Sequence, residues 1–331
     1  MKMMKHWKIS IWAVVILFLP VAVFAGEYHI EGQLVDKTPS MIYLSRYTDK
    51  AFVLKDSAIV QNGRFAFDGT LSSPLLYGLS TERDSSHPLT FFLEDSPVKI
   101  RLNEQHSDIE VNGSHADSLY RKELPKIEQK GYQLDSLIAA NPKSVVPAYF
   151  LIHNFAWSLD LHQLQVLRSA FSSELDRTLY LKQIDTLIVS LKKVDIGQRA
   201  PDFTLRDVQS RKVSLSDFRG KYVLVEFWAS WCGDCRREMP IIKTIHTKYK
   251  DLAILGVSFD RNRPSWLNAI RQYQLGWTQV SDLKGWGSSL TSLYAVRWIP
   301  MVYLLDPNGK IIYKALTLVG LDQILEPYFK L

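Results

Sequence analysis

Cysteine is almost absent from this chain: there are two in 331 residues, Cys232 and Cys235. A fold stapled by disulfides is therefore excluded, and a chain of this length holds about two domains able to bury cores of their own. Strong charge is missing as well. The formal charge is +6, and Lys2, Lys5 and Lys8 supply three of those charges, which leaves +3 beyond the first eight residues. That balance excludes the basic footprint of a nucleic-acid binder. Repeats and low-complexity tracts are lacking, and with 47% hydrophobic and 22% charged residues the chain is expected to fold nearly throughout. Only one long apolar run occurs, at residues 9–24, behind a basic head. Val23-Phe24-Ala25 before Gly26 offers a cleavage site, so residues 1–25 read as a signal peptide removed after Ala25, with a retained membrane anchor as the alternative. The protein is accordingly expected to be exported, to a periplasm or cell envelope. An exported protein that makes no other disulfide is using its one cysteine pair for chemistry.

Residues 26–115 alternate apolar and polar in short segments (28–35, 41–44, 63–67, 89–93, 98–102 and 109–111), with Asn62-Gly63 and Asn112-Gly113 as turns, and this predicts a small antiparallel β domain. Residues 116–194 change to helical spacing and predict a connecting region of about four helices, one beginning after Ser144. Gly197 and Pro201 break that pattern. From 195 to 331 strands at 222–228, 253–259, 301–305 and 310–314 alternate with helical patterns, and Asp306-Pro-Asn-Gly309 turns the last two strands into a hairpin. The expected fold of this part is α/β, a central mixed sheet flanked by helices.

The near-continuous apolar strand at 222–228 runs through a short loop into Cys232-Gly-Asp-Cys235, after which Ile242, Ile245 and Tyr249 follow at helical spacing. Cys232 is thereby placed at a helix N-terminus, where free N–H groups and the helix dipole favour thiolate, making it the attacking sulfur. Cys235, one turn later, is positioned to resolve a mixed disulfide. Glu226 stands in the middle of the apolar strand, where a carboxylate is expensive to bury unless it has a task or a partner such as Lys221. Trp228 and Trp231 flank the motif; either can grip an apolar peptide beside Cys232, and Trp228 reads equally as core.

Leu224-Val-Glu-Phe-Trp-Ala-Ser-Trp-Cys-Gly-Asp-Cys235, together with Ala200-Pro-Asp-Phe203, Leu215-Ser-Asp-Phe-Arg-Gly-Lys221 and Ile299-Pro300, resembles the TlpA/ResA-like branch of the thioredoxin superfamily over about residues 196–331. The region before it is similar to the β-rich extension found ahead of such domains in envelope proteins. The resemblance implies a thioredoxin-like fold and a protein-disulfide oxidoreductase acting as a reductase, with no cofactor beyond the Cys232–Cys235 disulfide. Its partners would be client proteins bearing cysteines or disulfides and an envelope electron donor, with membrane contact only if the first segment is kept. It also implies that Pro300 is a cis-proline presenting the Ile299 backbone to substrate, where the residues alone allow a plain strand-initiating proline. Glu226 would be the buried acid that accepts and returns the Cys235 proton. Asp234 departs from the proline usual between the sulfurs, and Met301 from the threonine frequent after the cis-proline.

Rival readings have weaker support. A zinc site needs four ligands, and this half of the chain adds only His246 to the two cysteines. A thiol peroxidase needs Pro and Thr seven and three residues before its reactive cysteine, where Val225 and Ala229 stand. A protein whose front half docks one dedicated client, with the thiol pair serving that client, is compatible with the main reading.

Overall fold

The structure is a computed structural model that describes residues 26–35, 39–48 and 51–329. The expected signal peptide and its cleavage after Ala25 lie outside the described residues.

The front of the chain builds eight strands: β1 (Gly26–Leu34), β2 (Met41–Thr48), β3 (Ala51–Ile59), β4 (Arg64–Leu71), β5 (Leu75–Ser80), β6 (Leu89–Leu93), β7 (Pro97–Leu102) and β8 (Ile109–Asn112). They form two four-stranded sheets, ordered β4-β1-β7-β8 and β3-β2-β5-β6. Every pairing is antiparallel except that of β1 with β7, which is parallel. Alternation along β1, β4 and β7 turns Tyr28, Ile30, Phe65, Phe67, Val98 and Ile100 inward, where both sheets contribute to one core.

Five α-helices follow: α1 (His115–Glu123), α2 (Leu134–Ala140), α3 (Val145–Phe150), α4 (Leu161–Ser169) and α5 (Leu179–Lys193). Ser144 caps α3 by accepting from the Val146 N–H at 3.3 Å. These helices are more than a connection. Ile138, Phe150, Leu164, Tyr180 and Ile184 belong to the same core as the strands. The helices are also bolted to the sheet edge-on: Tyr180 accepts the Leu76 N–H at 3.0 Å, and Asp117 accepts the Phe92 N–H at 2.9 Å. Helical periodicity shows which face is apolar but not which surface covers it; here the strands of the β domain cover it, and the two segments share one core.

A second core begins at Val194 and runs to Leu325. Its elements are β9 (Thr204–Asp207), β10 (Lys212–Ser214), β11 (Tyr222–Trp228), α6 (Gly233–Lys248), β12 (Leu252–Ser258), α7 (Arg263–Tyr273), β13 (Thr278–Ser281), α8 (Ser289–Leu293), β14 (Met301–Leu305), β15 (Ile311–Ala315) and α9 (Leu321–Leu325). The sheet is mixed, ordered β10-β9-β13-β12-β11-β14-β15. β11 lies near its middle, parallel to β12 and antiparallel to β14, which explains its near-continuous apolar run. Among the described residues no helix is long and apolar enough to cross a membrane.

Candidate active site

β11 ends at Trp228 and the chain turns at once into α6, so whatever occupies residues 229–232 is held between the C-terminal end of a central strand and a helix start. Asp260, buried, fixes that turn. Its carboxylate accepts from the Ser230 N–H at 3.0 Å, the Ser230 hydroxyl at 2.5 Å and the Ser258 hydroxyl at 2.7 Å. Trp228 is wholly buried and donates its indole N–H to Gln279 Oε1 at 2.9 Å, which makes it core. Trp231 is 51% exposed and leans on Trp286, with ring centroids 6.3 Å apart.

Cys232 is the N-cap of α6, and its sulfur accepts the Cys235 N–H at 3.0 Å. The two sulfurs are bonded to each other, with Cα atoms 5.3 Å apart. Cys235 has no exposed surface, while Cys232 keeps 6%. That difference makes Cys232 the sulfur an outside reactant meets first. The Ile299–Pro300 peptide bond is cis, and the Ile299 carbonyl oxygen lies 3.5 Å from Cys232 Sγ. A disulfide sulfur carries no hydrogen, so this is a contact in the oxidised protein and becomes a hydrogen bond only when Cys232 is a thiol. The side chains of Ile299 and Pro300 are themselves buried, so backbone and ring edge are what they offer.

Glu226 lies within β11, fully buried, and neither of its carboxylate oxygens has a hydrogen-bond partner among the described residues. Lys221 does not reach it. Burial pushes its pKa up to about 8, and the carboxylate of Glu238 adds to the shift. Glu238 is three residues beyond Cys235 on α6, so the two share a helix face, and Glu238 is near enough to Glu226 for its charge to act there. Glu238 is held by the Thr317 hydroxyl at 2.5 Å and the Leu318 N–H at 2.6 Å. The sequence reading passed over it; its signal was the i, i+3 spacing from Cys235. Opposite Glu226 in the sheet sits Gly256, paired in turn with Gln279 on β13. A Cβ at position 256 would lie 2.3 Å from Gln279 Oε1, so the glycine makes room for the amide that holds Trp228. Asp234 is ion-paired with Arg237. Val225 and Ala229, where a thiol peroxidase carries Pro and Thr, are buried.

A mixed sheet with a Cys-x-x-Cys pair opening a helix beside a cis-proline defines a thioredoxin-like dithiol–disulfide protein. Residues 196–314 match the AhpC/TSA family, and residues 28–120 match a domain of unknown function, DUF4369. The thiol-disulfide oxidoreductase ResA of Bacillus thuringiensis subsp. konkukian is 33% identical over 141 residues, 42% of this chain and 79% of that protein. The thioredoxin-like protein YneN of Bacillus subtilis is 38% identical over 128 residues, 37% of this chain and 73% of that protein. Among solved structures, the thioredoxin domain of a thiol-disulfide oxidoreductase from Bacteroides vulgatus is 36% identical, covers 40% of this chain and 97% of that one, and superposes with a TM-score of 0.39. The chain belongs to the ResA-like family of thiol-disulfide oxidoreductases, joined here to a front unit that those relatives' matches do not include.

Proposed function

We propose that this protein is exported and reduces disulfides in client proteins of the cell envelope, with Cys232 as nucleophile, Cys235 as resolving thiol and Glu226 as the proton acceptor for Cys235. The observation that carries the reading is a disulfide whose first sulfur caps a helix and keeps a little exposed surface, at the end of a strand that buries an unpartnered carboxyl. Once reduced, Cys232 has the positive end of α6 and the Cys235 N–H to stabilise negative charge on its sulfur. The thiolate attacks one sulfur of the client disulfide; a client thiolate leaves and a mixed disulfide forms. Glu226, when ionised, takes the proton from the Cys235 thiol, and that sulfur displaces the client's second sulfur from Cys232. Two electrons pass to the client, and the Cys232–Cys235 disulfide of this structure is the product. The electrons reside on the two sulfurs alone, without a further cofactor, and a dithiol donor in the envelope returns the pair to the reduced form. Trp231 and the Ile299–Pro300 segment border the sulfur and receive the client chain. Export rests on the basic head and apolar run of residues 1–25.

The test is a Cys235→Ser variant expressed in the native host with its own N-terminus. It should accumulate mixed disulfides through Cys232 in the envelope fraction, and these should vanish with Cys232→Ser. Absence of any Cys232-dependent adduct under mild oxidation would remove the client-exchange reading.

A further inference from the structure

The loop that ends in the cis-proline is held from two sides. Arg297 Nη2 donates to the Ile152 carbonyl at 2.7 Å, Ala295 packs against both cores, and the Trp298 ring lies 5.0 Å from that of Trp157 in the front unit. Ile152 belongs to a π-helical turn, Leu151–Phe155, that closes the helix begun by α3. Carbonyls in a closing turn lack helical donors, and the guanidinium of Arg297 supplies one. Trp157 follows directly, its indole N–H donated to the Asn154 carbonyl at 2.9 Å, so the face of the ring is what remains to offer. The two tryptophans are 41% and 43% exposed, large apolar surface kept at the surface beside a reactive sulfur.

Trp298 also lines a cleft of 370 Å³ with Pro300, Ile241 and Val319. Within its polar lining Asp234 pairs with the exposed Arg237, and Glu238 accepts from Thr317 and Leu318. Charged groups line one side of the cleft, Asp234, Arg237 and Glu238, and an apolar guest meets tryptophan, proline and aliphatic surface on the other. The cleft borders Asp234, between the two cysteines, and Pro300, next to the carbonyl that touches Cys232. A side chain seated there belongs to a residue close in sequence to the attacked cysteine.

We propose that Trp157 of the front unit and Trp298 of the redox domain form one wall of the client groove, and that the groove takes an extended peptide segment whose cysteine is flanked by a large apolar or aromatic residue. This rests on the reading that Cys232 attacks client disulfides.

The experiment uses the reduced full-length protein and two seven-residue peptides, each with one cysteine in a mixed disulfide with glutathione, differing only in Phe or Ser beside the cysteine. Second-order rate constants are read by stopped flow, with glutathione disulfide as a third substrate. The Phe peptide should react about tenfold faster than the Ser peptide, the worth of one well-seated aromatic side chain. Trp157→Ser should bring the ratio near unity and Trp157→Phe should restore most of it, which separates loss of the wall from loss of fold. Equal rates for the two peptides in the wild type, or an unchanged ratio in Trp157→Ser, would overturn the groove while leaving the redox reading in place. No Cys232-dependent reaction with any of the three substrates would remove both.

Discussion

Both halves of the molecule bury carboxylates, and Asp117 and Glu226 are treated in opposite ways, with Asp260 beside the active-site turn satisfied as Asp117 is. Asp117 in the front unit is 1% exposed and fully engaged: it accepts from the Phe92 N–H at 2.9 Å and from Arg121 Nε at 2.6 Å, with Ser114 capping the helix beneath it. Glu226 in the redox domain is equally buried and engaged with nothing described. Burial raises the pKa of both; for Asp117 the arginine and the backbone N–H offset part of the rise, while for Glu226 the only other influence is a second carboxylate pushing the same way. A paired acid fastens elements together; an unpaired one costs stability and is kept for what its proton can do. The front unit shows the first pattern again at Glu123, held by Lys126 and Tyr132.

The sharpest test of this contrast is Glu226→Gln. The native carboxyl keeps its proton to about pH 8, whereas in the unfolded chain it loses it near 4.5. Between those values the native state binds more protons than the unfolded one, so Glu226 makes stability fall as pH rises. The glutamine variant lacks this dependence. Its stability relative to the oxidised wild type should therefore improve by about 3 kcal/mol between pH 5 and pH 8, at roughly 1.4 kcal/mol per pH unit, in denaturant titrations. Resolution of the mixed disulfide should slow in the same variant. A difference that stays flat with pH would mean that Glu226 finds a partner or solvent. Next in size is Asp117→Ala, which strands the buried Phe92 N–H and leaves Arg121 its exposed third of surface to retreat into; it should cost about 2 to 4 kcal/mol in urea unfolding. If its exchange rate with glutathione disulfide fell in parallel, the division between fastening and chemistry would not hold. The smallest effect belongs to Tyr180→Phe, which removes the acceptor of the Leu76 N–H and should destabilise the front unit by about 1 to 2 kcal/mol, read as a lowered urea midpoint.

The same contrast governs what could be read in advance. β11 and the start of α6 were legible because a seven-residue apolar run followed by Cys232, Cys235 and helical spacing permits few other local structures. Glu226 stood out in that run by its charge. Elements without such a pattern were missed. β5 buries Leu75 to Leu79 consecutively, so it never alternates, and β3 is an edge strand, largely exposed and carrying Lys55 and Asp56. β9, β10 and β13 have three or four residues each, too few for a period. The parallel pairing of β1 with β7, the sharing of one core by strands and helices, and the grip of Arg297 on a carbonyl 145 residues away are choices of tertiary packing. Local sequence carries no trace of them.

Gly256 and Gln279 show how tightly the interior behind the sulfurs is tailored. The absent methyl on one strand and the amide on the next occupy a single volume, so these positions amount to one locus split over 23 residues of chain. An alanine at 256 would push the Gln279 amide aside, and that shift would loosen its hold on the indole of Trp228. A change at either position is therefore felt at the other and, through the amide, at the tryptophan.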